Sequence, residues 1–195
     1  AGCGEDIEIP KMIDCDGCKE EVSSKAEDCP SCGHPIADSV DAYKRQEEER
    51  KEREEWDIIW SYGGPEVLAK IKEAKESDAT ELRLGDNGIS DLLPLAELTH
   101  LKQLDLGDNE IVDISELEWL TNLEYLNLAN NSISDISPLK RMSRLKHLNL
   151  QWNQISDTTP LKWLTNLEKL VLDNSFTVDQ IEMLKKALPD CEIEF

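Results

Sequence analysis

Between Leu82 and Leu172 the apolar positions recur every 22 residues, with no break in register. Leu82, Leu104, Leu126, Leu148 and Leu170 form one column, and Leu84, Leu106, Leu128, Leu150 and Leu172 form the next. Ile89, Ile111, Ile133 and Ile155 follow, then Leu95, Leu117, Leu139 and Leu161, then Leu98, Leu120, Met142 and Leu164. A polar column, Asn87, Asn109, Asn131 and Asn153, runs between them. Self-similarity at a period of roughly 20–29 residues predicts a solenoid of stacked coils, each burying its apolar side chains against the next.

One unit shows how the coil is built. Leu104 and Leu106 stand at strand spacing, so both point inward while Gln103, Asp105 and Gly107 point outward. Asn109 then turns the chain, its side-chain amide meeting backbone groups that a tight inner corner leaves unpaired. The return half, ISDISPLKRMSRL in the third unit, predicts a short irregular or 3₁₀ path, since 22 residues leave no room for a long helix. Asp91, Asp113, Asp135 and Asp157 are read as caps of that return turn, in preference to a metal site.

The words ISDISPLKRM and PLKWLTNL resemble the 22-residue leucine-rich repeats of the internalin type, or of the regulatory-phosphatase-subunit type, over roughly residues 80 to 175. The resemblance implies an α/β solenoid with a parallel sheet on a concave face that holds another protein. It implies no activity, because such repeats share a scaffold rather than a chemistry. Both ends are read as capped. Pro65 begins an amphipathic helix whose Val67, Leu68 and Ile71 cover the first coil. Downstream, Ser175 replaces the ladder asparagine, 178–188 reads as a helix, and Cys191, Ile193 and Phe195 alternate as a closing strand. Cys191 is read as a buried cap residue.

A second signal lies near the start. Cys15-Asp16-Gly17-Cys18 and Cys29-Pro30-Ser31-Cys32 are two C-x-x-C pairs ten residues apart. Two such turns direct four thiolates at one ion and close a tetrahedron, which predicts structural Zn²⁺ with no open position for catalysis. A redox-switching thiol pair, an iron site or an accidental pattern are the competing readings. Cys32-Gly33-His34-Pro35-Ile36 resembles the second half of a bacterial zinc ribbon. Lys19 stands where that pattern commonly has glycine, and His34 is left out of the ligand set. Without metal so small and polar a segment has too little core to fold.

The modules are joined by a charged stretch, KRQEEERKEREEW, with no Gly or Pro. Glu47 with Lys51 and Glu49 with Arg53 fall at i,i+4, predicting a solvated helix of about 20 residues, some 30 Å long. No heptad of apolar positions supports a coiled coil, so the chain is read as a monomer. Trp56, Ile58, Ile59, Trp60 and Tyr62 are expected to dock this helix on the solenoid cap. The boundaries read from the sequence are 1–11 a tag or disordered extension, 12–37 the zinc ribbon, 38–62 the charged helical linker, and 63–195 the repeat domain with its caps.

A net charge of −21 argues against binding to nucleic acid or anionic membrane, and no segment is long and apolar enough to span a bilayer. The one basic cluster is Lys140, Arg141, Arg144 and Lys146. Cysteines poised for zinc suit a cytoplasmic setting. Ala1-Gly2-Cys3 resembles the end of a lipoprotein cleavage site, which keeps a surface-anchored, internalin-like binder as an alternative; Met12 reads as a natural start. No phosphate loop, H-E-x-x-H or G-x-S-x-G is present, so a non-enzymatic protein–protein adaptor is expected. The other alternative is a zinc- or thiol-based redox regulator.

The outward strand positions define the expected partner surface. They are Arg83, Asp105, Tyr125, Asn127, His147, Asn149, Trp152 and Lys169, with Tyr125, His147 and Trp152 as an aromatic hot spot. The small residues Gly85, Gly107 and Ala129 leave room for a partner's backbone. Trp119 and Trp163 share a column of the return half with Glu97 and Arg141, and are expected to be partly exposed.

Overall fold

A computed structural model describes residues 9–173 and 176–195. Ala1-Gly2-Cys3, the rim residue Asn174 and the ladder-breaking Ser175 lie outside the described residues. The chain divides into two compact units, Ala1–Asp57 and Ile58–Phe195.

In the first unit β1 (Met12–Asp14) pairs antiparallel with β2 (Glu21–Ser23), Ile13 opposite Val22. Both of these side chains are buried, with Cys15, Cys29 and Ile36, in a core of five residues. Helix α1 (Ile36–Ser61) starts earlier than the charge pattern indicates, because its first residue, Ile36, is an anchor in that core. Beyond Ser39 the helix buries nothing fully, as a solvated charged helix should. The charge ladder differs from the expected one. Arg50 sits between Glu47 at 2.7 Å and Glu54 at 2.5 Å, and neither Glu47–Lys51 nor Glu49–Arg53 is an ion pair among the described residues.

In the second unit α2 (Gly64–Glu76) lays Val67, Ile71 and Ala74 on the first coil, with Leu68 only half-buried. Its N-cap, Gly63, has φ +88°, and a Cβ there would lie 2.7 Å from Ile89 Cγ1, so both conformation and space require glycine. Six parallel strands follow: β3 (Glu81–Arg83), β4 (Gln103–Asp105), β5 (Tyr125–Asn127), β6 (His147–Asn149), β7 (Lys169–Val171) and β8 (Glu192–Glu194). Their register pairs Glu81 with Gln103, Tyr125, His147 and Lys169 in turn, which is the 22-residue offset of the sequence made into a sheet. The columns of Leu, Ile and Met fill the interior, and those of the third coil (Leu126, Leu128, Ile133, Leu139) are fully buried. Each such side chain is worth about 1.5–3 kcal/mol relative to exposure.

Each return half is one 3₁₀ turn, Leu93–Leu95, Ser115–Trp119, Ser137–Arg141 and Thr159–Trp163. The acidic column starts them. Asp91, Asp113, Asp135 and Asp157 accept from the N–H of Leu93, Ser115, Ser137 and Thr159 at 2.8–2.9 Å. The asparagine ladder closes the inner corner: Asn131 Nδ2 donates to the carbonyls of Leu106, Leu128 and Ala129, and its Oδ1 accepts from Ile111 N–H at 3.0 Å. One amide therefore ties two coils together.

The far end is closed by α3 (Val178–Ala187), begun by a capping box between Thr177 and Gln180, and by β8. Cys191 is half-exposed rather than buried, packed on the edge of the core. Of the expected aromatic cluster, Ile59 and Tyr62 are half-buried, and the Trp60 ring lies against Gly64. Trp56, Ile58 and Trp60 are exposed, and within the second unit Ser61 C=O accepts from Ser90 and Asp91 N–H at 2.8 and 3.0 Å.

Candidate functional site

The four cysteines of the first unit converge. Cys15 and Cys18 lie in the turn after β1, Cys29 and Cys32 in the turn before α1, and the four sulfurs lie within 4.8 Å of one another. Sγ–Sγ separations are 3.6 Å for Cys15–Cys32 and 3.6 Å for Cys18–Cys29. A tetrahedral ion with metal–sulfur bonds of about 2.3 Å needs sulfurs about 3.8 Å apart, whereas a disulfide needs about 2 Å. The donor set and spacing therefore fit a four-thiolate metal ion.

The two turns are built alike. Lys19 N–H donates to Cys15 C=O at 2.7 Å and Gly33 N–H to Cys29 C=O at 2.9 Å. Both donors sit in the left-handed region, Lys19 at φ +63° and Gly33 at φ +71°. Lys19 thus occupies the glycine position of its turn and accepts the strain of that conformation. Desolvation works against ionisation of Cys29, yet the backbone N–H groups of Ser31 and Cys32, aided by the neighbouring thiols, lower it to about 7. At Cys18 the Glu20 N–H favours the thiolate, but desolvation and the three other cysteines push it up to about 12. Crowded thiols that cannot all ionise alone are what a cation relieves. His34 stands outside the ligand group, its Nε2 buried without a hydrogen-bond partner.

On the second unit the expected partner residues share the concave sheet, but most of them are already committed. Asp105, Asn127 and Asn149 turn their side-chain oxygens back on the N–H two residues ahead, of Gly107, Ala129 and Gln151, at 3.1 Å each. Asn127 Nδ2 also donates to Asp105 Oδ1 at 2.7 Å. Arg83 pairs with Glu81 at 2.6 Å and Lys169 with Glu194 at 2.7 Å. The expected room above the glycines is filled as well. Gly107 is buried, and a Cβ on it would lie 2.7 Å from Asn127 Nδ2, so the glycine serves the chain's own ladder.

The aromatics are the exception. Tyr125 and His147, side by side on β5 and β6, have ring centroids 6.3 Å apart and a tilt of 38°. Tyr125 is 39% exposed, at the rim of a concavity formed with Glu81, Arg83, Gln103 and Asp105. Burial, and then the Asp105 charge, raise its pKa. Trp152 makes no aromatic pair with them among the described residues. Five residues of near-extended chain put it up to about 16 Å from His147 along the strand direction, at the opposite edge of the sheet.

That edge has a feature the sequence alone did not show. Asp86, Asp108, Asn130 and Trp152 are equivalent rim positions among the described residues, and all have positive φ, +59°, +57°, +54° and +55°. Asp and Asn tolerate the left-handed region, whereas a bulky side chain there costs about 1–2 kcal/mol. Trp152 is nonetheless 66% exposed. Its backbone is pinned, the N–H shared between both carboxylate oxygens of Asp173 at 2.9 and 3.0 Å. The signal that could have found this is in the column itself: two aspartates and an asparagine, the residues of left-handed turns, followed by a tryptophan.

The comparisons with known proteins agree with this architecture. Residues 80–119 and 121–163 match the family model of leucine-rich repeats (2 copies). No curated protein matches the chain. Among solved structures, a leucine-rich repeat protein of Leptospira interrogans is 30% identical, with a TM-score of 0.57, over 64% of this chain and 33% of that one. Internalin C2 of Listeria monocytogenes is 34% identical, with a TM-score of 0.51, over 63% of this chain and 55% of that one. The chain therefore spans about a third of the first relative and about half of the second. With the 22-residue register, the asparagine ladder and the six-stranded parallel sheet, these likenesses identify the second unit as a leucine-rich repeat solenoid similar to those of bacterial internalin-type proteins.

Proposed function

We propose that this chain is a non-enzymatic adaptor whose concave repeat face binds a protein partner, and whose cysteine unit is a zinc ribbon stapled by one structural Zn²⁺ on Cys15, Cys18, Cys29 and Cys32. The observation that carries the binding reading is Trp152. It is the bulkiest side chain in its column, it is exposed, and it occupies a backbone conformation that opposes it. A residue held at a cost to the fold, with two thirds of its surface exposed, points to a role outside the fold.

Leucine-rich repeats in the matched segment and the internalin-type neighbours support a protein-interaction module. In this reading Tyr125 and His147 form one contact and Trp152 the other, at opposite edges of a sheet whose Asp105, Asn127 and Asn149 are bonded to their own backbone. A preformed face of this kind loses little conformational entropy on binding. Aromatic anchors with a polar surround are the usual centres of binding energy. The cysteine unit acts as a tether or minor contact, and thiols reserved for zinc fit a cytoplasmic protein.

The test is crosslinking and capture from the source organism's lysate, with wild type beside the Tyr125→Ala/Trp152→Ala double variant, both verified as folded by circular dichroism. A protein crosslinked by wild type and lost from the variant is the expected result. Equal capture by the two would move the interface off the concave face.

A further inference from the structure

The convex side of the repeat unit carries a second constellation that the concave face leaves unused. The 22-residue offset puts Trp119, Arg141 and Trp163 at equivalent positions of successive 3₁₀ turns. The two indoles are 56% and 60% exposed. Coils stack about 5 Å apart, so the indoles flank Arg141 with roughly 10 Å between them. One position earlier on the same turns stand Lys140 and Lys162. Lys162 Nζ lies 5.3 Å from the Trp163 ring centroid. Arg141 reaches Glu118 only at 3.6 Å, and Lys140 makes no ion pair among the described residues.

Charge sets this ridge apart. Residues 137–147 hold four Lys or Arg side chains and no Asp or Glu, in a chain of net charge −21. Glu116 and Glu118 stand beside Trp119, and Lys146 is paired with Glu124 at 2.9 Å. The basic groups left to a partner are therefore Lys140, Lys162 and the loosely paired Arg141. Its exposed tryptophans add little to the core, yet each would bury a large surface under a partner. Tryptophan and arginine are also the residues most enriched where binding energy concentrates. The ridge is too short, and the surrounding chain too acidic, to hold a polyphosphate backbone, whose affinity grows with the number of phosphates neutralised. Indoles about 10 Å apart match three residues of extended peptide.

We propose that this ridge docks an acidic, extended segment of a protein partner. The segment's carboxylates meet Lys140, Arg141 and Lys162, and apolar side chains on either side of them rest on Trp119 and Trp163. The site lies on the opposite face from Tyr125 and Trp152 and does not depend on the concave reading.

The probe is a fluorescein-labelled peptide of glutamates around a central pair of leucines, titrated into the full chain and read by fluorescence anisotropy. Saturable binding that falls with added salt is expected. Trp119→Ala/Trp163→Ala and Lys140→Glu/Arg141→Glu should each weaken it about tenfold or more, the size of one lost hot-spot contact. Tyr125→Ala/Trp152→Ala should leave it unchanged, which separates this site from the concave one. Circular dichroism confirms that each variant is folded. No binding, or binding indifferent to both ridge variants, would overturn the proposal. So would a labelled oligonucleotide that binds more tightly than the peptide and is lost in the same variants. Probe-free self-association in sedimentation that the charge reversal abolishes would also overturn it, by assigning the ridge to a second copy of the chain.

Discussion

The cysteine unit buries Ile13, Cys15, Val22, Cys29 and Ile36 and little else, whereas a single coil of the repeat unit buries at least as many apolar side chains and passes them against identical neighbours. In the repeat unit every stabilising device occurs several times: the leucine columns, the asparagine ladder and the aspartate caps. Loss of one copy is shared among coils. In the cysteine unit two thiols are themselves part of the core, so closing the tetrahedron and forming the core are one event. A short core needs a staple, while a repeated one holds its register without one; each unit carries a strained, exposed left-handed residue, Lys19 in the first and Trp152 in the second.

The largest effect should come from the metal. Removing the proposed zinc by chelation, or the change Cys29→Ser, should unfold the cysteine unit, since structural zinc supplies about 10–16 kcal/mol in small modules of this kind. Amide cross-peaks of residues 12–36 should collapse in an NMR spectrum while those of the repeat unit stay in place. If the two units lost dispersion together, the contrast between stapled and repeated cores would fail. Within the repeats, Leu126→Ala should cost about 2–5 kcal/mol in urea unfolding, because Leu126 is fully buried between two coils. A cost below 1 kcal/mol would mean that the columns are not the source of stability. Smaller still, Asp135→Ala removes one of four equivalent caps and should cost about 1 kcal/mol. A loss as large as that of Leu126→Ala would show that the return turns carry more of the fold than their exposure suggests.

How far the sequence could be read follows the same division. The 22-residue period determines sheet register, core columns, caps and ladder, because each is a periodic demand met by a residue type suited to it. The C-x-x-C pairs likewise reveal the thiol cluster. Features that depend on one contact were hidden. β1 and β2 are three residues each with a single buried side chain, too short for an alternating pattern. Ile36 falls within the ribbon by sequence, and only its burial makes it the first residue of the helix. On the concave face, position alone makes Asp105, Asn127 and Asn149 look available, but their own backbone N–H groups claim them. Outward direction is a property of the strand, whereas availability depends on the next two residues.

The most direct measurement is the stability of Trp152→Asn, with capture of the partner assayed on the same preparation. Asparagine is the residue at the equivalent rim position Asn130, and it tolerates the left-handed conformation that tryptophan resists. The variant should unfold at higher urea, by about 1 kcal/mol, and should lose most of the partner captured by wild type. A variant less stable than wild type, with capture intact, would contradict the account, by making Trp152 a packing residue of the fold rather than a residue held ready for a partner.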